Sequence, residues 1–167
     1  LQDCDAISAI EVLDEAIHAG FVVIDSSHSE RYLFTHELFT DCIVSFMLAS
    51  ERYQLHANVA GKLKEKSAQH AGSPAIILEH LILSGPLAVR DELIEYSLRA
   101  GRMALDELAF ENARRYFETG LKEISESAND RRRADLLVGL AESCFGRDDV
   151  NSLIREAFAI YESLGDR

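Results

Sequence analysis

From Leu38 to Leu164 apolar residues return at steps of three and four, and this spacing restricts most of the chain to amphipathic helix. One stripe is Leu38, Phe39, Cys42, Ile43, Phe46 and Met47. The next is Tyr53, His56, Val59, Ala60 and Leu63, with Ser50 placed to cap it. The pattern breaks at Ala71-Gly72-Ser73-Pro74 and restarts with Ser73 as N-cap and Pro74 at the first helical position. That helix carries Ile77, Leu78, Leu81 and Ile82 and stops at Ser84-Gly85-Pro86. Further helices are expected over Val89–Leu105, Phe110–Glu126, Arg131–Phe145 and Val150–Leu164. Short helices joined by tight turns make antiparallel neighbours.

The front of the chain differs. Ala6, Ile10, Leu13 and Ile17 line one face of a helix over Asp5–Ala19, which Gly20 ends. Phe21–Ile24 and Arg31–Thr35 are β-prone runs separated by the polar turn formers Asp25–Glu30, the signature of a hairpin. A two-stranded ribbon is marginal in water, so it must pack on helices. The expected fold is therefore mainly α, with one β-hairpin followed by an antiparallel α-hairpin array.

Composition narrows the function. With 167 residues the chain can bury a core as one domain or two small ones. Its 17 Lys and Arg against 29 Asp and Glu give a formal charge of −12, which repels phosphate backbones. The helix Asp5–Ala19 carries Asp5, Glu11, Asp14 and Glu15 and no Lys or Arg, so a DNA major groove would reject it. Cys4, Cys42 and Cys144 are odd in number and far apart, which argues against a disulfide framework and for buried small hydrophobes in a reducing compartment. No apolar run approaches the ~20 residues needed to cross a bilayer, and no signal-peptide pattern opens the chain. A cytoplasmic protein is expected, and a start at Leu1 directly in a helical pattern suggests a piece of a longer one.

Internal similarity appears in the last third. Ala113, Phe117, Gly120 and Leu121 stand at the spacing of Val150, Ile154, Ala157 and Phe158, offset by 37 residues. Gly101 lies twelve residues before Ala113, a spacing similar to that of tetratricopeptide repeats, which place a small residue there on the first helix of each pair. The segment resembles a tetratricopeptide-like array, degenerate because Ser97 replaces the large aromatic of the first helix and Ser125 the closing proline. If the hairpins stack, removing Val150–Arg167 exposes Leu136, Leu140 and Phe117.

A wider resemblance rests on the order of the motifs. A helix, a β-ribbon and then Phe34-Thr35-His36-Glu37-Leu38 opening another helix form the back half of a winged helix. With Leu13–Val22 before it, Leu55–Ala60 after it, and Ile77-Leu78-Glu79-His80, Ala113–Glu118 and Tyr161–Asp166 further on, the chain resembles the segment following the ATPase module in large LuxR-type regulators, members of the signal-transduction NTPases with numerous domains. The resemblance implies a partial winged helix over residues 1–48, a helical linker or hairpin over 49–90 and degenerate tetratricopeptide-like repeats over 91–167. In that family the histidine opening the helix after the wing reaches the β-phosphate of bound ADP, and His36 is the matching residue. An imidazole beside a diphosphate gains charge-assisted hydrogen bonds and can hold a closed state. Thr35 and Glu37 depart from the Met and Asp of many eukaryotic relatives, and the other reading of His36 is a helix-start residue bonded to backbone.

Catalytic chemistry is absent from the residue pattern. Gly61-Lys62 lacks the upstream glycine and following Ser or Thr of a P-loop. His18, His28, His36 and the cysteines lack metal-ligand spacing, and no Gly-x-Ser-x-Gly turn exists. Arg131-Arg132-Arg133 reads as a solvated face or a partner contact with acidic neighbours, with nucleic-acid binding as the other reading. The expectation is a non-enzymatic regulatory and protein-interaction segment of a multidomain signalling ATPase, a transcriptional regulator, with ATP or ADP bound on the parent chain, no metal, no direct nucleic-acid or membrane contact, and an upstream nucleotide-binding domain and a protein or small effector as partners. The alternatives are a free-standing helical adaptor and the regulatory arm of a nucleotide cyclase.

Overall fold

The computed structural model describes residues 6–25, 31–67, 73–125, 129–144 and 150–165. Among them the chain is mainly helical, with one two-stranded antiparallel hairpin followed by an antiparallel helical array. It divides into two compact units, Leu1–Ala49 and Ser50–Arg167. Cys4, Asp5, the hairpin turn at 26–30, the break at 71–72, Glu126 and Phe145 lie outside the described residues.

In the first unit α1 spans Ala6–His18. Gly20, at φ 75°, ends it, with its N–H on the Ile17 carbonyl at 3.0 Å and that of Phe21 on the Ala16 carbonyl at 2.9 Å. This double bond pattern needs a left-handed residue, which glycine supplies without Cβ strain. Strands β1 (Val22–Ile24) and β2 (Tyr32–Phe34) pair Val22 with Phe34, Val23 with Leu33 and Ile24 with Tyr32. Thr35 ties the ribbon back to α1, its hydroxyl donating to the Gly20 carbonyl at 2.8 Å and its N–H to that of Phe21 at 3.0 Å. Then α2 runs Glu37–Phe46, and the Phe21 and Phe39 rings meet edge to face at 4.9 Å.

The second unit contains α3 (Ala49–Ser67), α4 (Pro74–Leu83), a short 3₁₀ turn at Gly85–Leu87, α5 (Arg90–Asp106), α6 (Phe110–Lys122), α7 (Arg131–Ser143) and α8 (Val150–Leu164). Its centre is Phe117 on α6, fully buried with Ile94, Ala113, Leu136 and Leu140. Gly101 on α5 and Gly139 on α7 both abut that ring; a Cβ on either would stand 2.4 Å from it. Gly120 serves in return, since a Cβ there would meet Leu136 at 2.8 Å and Ser97 at 2.9 Å. Three glycines thus let α5, α6 and α7 close on one another around a single aromatic plug. A second cluster joins Ala60, Ile77, Leu78, Leu81, Leu93 and Tyr96, and a third joins Ala134, Leu137 and Ala157.

Several expectations change. Helix α3 begins at Ala49, so Ser50 lies inside the helix and does not cap it. Pro74 does open α4 behind Ser73, but the serine hydroxyl makes no capping bond. Ile82, expected on the buried face of α4, is 48% exposed, because Ile77, Leu78 and Leu81 already fill the contact. In the 37-residue offset Ala157 is buried like Gly120, whereas Ile154 and Phe158 are 49% and 66% exposed. No described helix lies across that face of α8, whereas Phe117 has helices on both sides. Of the cysteines, Cys144 is buried as expected and Cys42 is exposed.

Candidate functional site

His36 sits at the N-cap of α2 with extended backbone, and its Nδ1 accepts the Leu38 N–H at 3.2 Å. That bond requires an unprotonated Nδ1, so in the neutral ring the proton lies on Nε2. The imidazole is exposed and lies 6.5 Å from Phe39, edge on. Capping is thus one role the structure gives His36, and it leaves the Nε2–H donor unspent.

Around His36 the first unit is almost without a core. Among its described residues Val22 alone is buried, and α2 has none. The α2 stripe read from the sequence is helical yet open: Leu38 is 64% exposed and Phe46 83%. Val23, Ile24, Leu33 and Phe34 of the ribbon are also exposed, so both elements present large apolar side chains to solvent.

The array carries two open depressions. One, of about 470 Å³, lies between α4 and α6, with Ile76, Ile82 and Leu83 on one wall and Arg115, Tyr116 and Thr119 on the other. Arg115 stacks 5.6 Å from the Tyr116 ring. The other, of about 600 Å³, lies along α5 beside Asp135 of α7 and is lined by Leu98, Met103, Arg99 and Arg102. Three of its charges are engaged, Arg102 with Glu142 at 2.6 Å, Arg99 with Glu95 at 3.4 Å and Asp135 as acceptor of the Tyr161 hydroxyl at 2.6 Å. Burial first, and then that bond to Asp135, pushes the Tyr161 phenol up to about 12.

The arginine run proves largely internal. Arg132 bridges Asp91 of α5 at 2.7 Å and Asp130 at 2.8 Å, while the Asp130 carboxylate also caps α7 through the Arg132 N–H at 2.9 Å. Hydrogen bonding to Arg132 holds the Asp130 carboxyl below its usual range. Arg133, buried, is paired with Glu156 of α8. These two arginines fasten α7 to its neighbours, a use the sequence reading of a solvated or contact face did not foresee. Asp130 immediately before the run was the available signal, an N-cap residue two positions from its own counter-ion.

Comparison with protein-family models, curated proteins and solved structures finds no match to this chain. The chemistry rests on the side chains alone. Among the described residues no group of three or more His, Cys, Asp and Glu is placed to hold a metal ion, and no helix is long and apolar enough to cross a membrane. Two placements escaped the sequence reading. Gly139 repeats the role of Gly101 on the next first helix, and His56, read only as part of an apolar stripe, lies against His80.

Proposed function

We propose that this chain is a non-catalytic regulatory and interaction segment of a larger nucleotide-regulated signalling protein, a transcriptional regulator of the LuxR-like ATPase type. On this reading the hairpin unit docks on an upstream nucleotide-binding domain, and the helical array offers its depressions to a protein or small effector. One observation carries the reading: the hairpin unit buries a single described residue while exposing Leu38, Ile43, Phe46 and the ribbon apolars. Such a surface is stable in water when another body covers it. His36 lies within it, and with Nδ1 spent on the cap its Nε2–H is a ready donor to a phosphate oxygen of ADP.

The test uses the complete gene product. Nucleotide extracted from the purified protein should be ADP, and His36→Ala should weaken ADP by about tenfold, the ~1.4 kcal/mol of one charge-assisted bond. Leu38→Ser with Phe46→Ser should release ADP likewise without lowering the melting temperature of the array. A gene product that carries no nucleotide, or an ADP affinity indifferent to all three changes, would sink the reading. The adaptor alternative has one observation in its favour, that all three core clusters of the array are built from residues of the array itself. A nucleotide-free gene product would decide for it.

A further inference from the structure

Helix α3 is held to the rest of the array by few contacts. Of its nineteen residues Ala60 alone is buried, with Leu63 packed beside it. Other attachments among the described residues include Tyr53 against Gly85, whose Cβ would stand 2.9 Å from the ring, the Lys64–Glu92 ion pair at 2.6 Å, and an imidazole pair. In that pair His56 Nδ1 of α3 and His80 Nδ1 of α4 are 2.9 Å apart, with ring centroids at 5.1 Å and planes tilted by 35°. At this separation one Nδ1 donates a hydrogen and the other accepts it. The contact is satisfied only while one proton lies between the two nitrogens; protonation of both rings removes the acceptor and sets two cations against each other in a half-buried place.

We propose that His56 and His80 form a single-proton clamp that fastens α3 to α4 near neutral pH and releases it on acidification. The charged groups on the packed elements leave this logic intact. Glu79 on α4 favours a charged His80 but is outweighed by burial and by His56, so His80 titrates below the ordinary 6.5. On α5 the carboxylate of Glu92 is already taken by Lys64. The direction follows: His80 detached from its partner takes up a proton near pH 6.5, His80 in the closed pair only lower, so the clamp is complete above that value and weakens as pH falls below it. Since α3 carries the chain from the first unit into the array, the proton level governs the attachment of the connecting helix.

Hydrogen exchange on the intact chain, with chelator present and rates corrected for intrinsic chemistry, tests the clamp. Backbone amides of Tyr53–Leu63 should exchange at least fivefold faster at pH 5.5 than at pH 7.5, while those of α6 and α7 keep their protection. In His56→Asn and His80→Asn that difference should vanish, whether the substituted helix stays protected at both values or is loosened at both. Equal protection of α3 in the unaltered chain at the two values, or a pH response that persists in both variants, would overturn the clamp.

Discussion

Phe117 shows how much one residue's neighbours decide. Its ring fills the space that Gly101 and Gly139 leave, and neither helix can yield because the ring is fully buried between them. Gly139→Ala should therefore destabilise by about 1–3 kcal/mol, the range for an added methyl group in a packed core, and thermal unfolding by circular dichroism should register it as a fall of several degrees. Ser97 makes the opposite case. Its hydroxyl is buried with no hydrogen-bond partner, while its Cβ packs on Gly120. Ser97→Ala keeps the Cβ and deletes the orphan, so the same measurement should show a gain of up to about 1 kcal/mol; a loss would mean that the hydroxyl is satisfied. The sequence pointed to Gly101 through its spacing from Ala113. Gly139 follows Gly101 by 38 residues, one more than the offset of the second helices, and that slip hides it from a fixed-period comparison.

Among the elements, the turn between α5 and α6 is the one that departs from local preference. Leu108 adopts φ 59° there, donating to the Leu105 carbonyl at 2.9 Å while Ala109 donates to that of Ala104 at 2.8 Å. This is the helix ending that Gly20 makes without strain, built instead on a leucine whose side chain is 72% exposed and contributes little packing. Leu108→Gly should stabilise by about 0.5–1 kcal/mol and raise the melting temperature by roughly 1–4 °C. A lower melting temperature would show that the exposed side chain matters more than the backbone. No sequence rule marks Leu108 as left-handed, since the conformation is imposed by the requirement that α6 return along α5. The ends of α4 were readable because Pro74 and Gly85 act locally.

At the scale of the molecule the array from α4 onward is a succession in which each helix packs on the one before. The third cluster seats Leu153, Ala157, Ile160 and Tyr161 of α8 on Ala134 and Leu137 of α7. Removing residues 150–167 should thus uncover Ala134 and Leu137 and unpair Arg133 from Glu156, lowering the melting temperature and raising dye binding. Phe117 should stay covered, because its flanks belong to α5 and α7, and this corrects the sequence expectation that it would be exposed. An unchanged melting curve after truncation would refute the stacking. The exposed Ile154 and Phe158 follow from the same rule, being apolar positions over which no described helix lies.

By itself the sequence determined where helices run, where the ribbon lies and what ends α1 and α4, because spacing, capping residues, glycine and proline act within a turn or two of the chain. Tertiary structure alone decided which face of each helix is covered, why Phe117 is sealed while Ile154 is open, and that His56 meets His80 and Arg132 meets Asp91. Those outcomes depend on partners tens of residues away, and local periodicity carries no information about what stands across the interface.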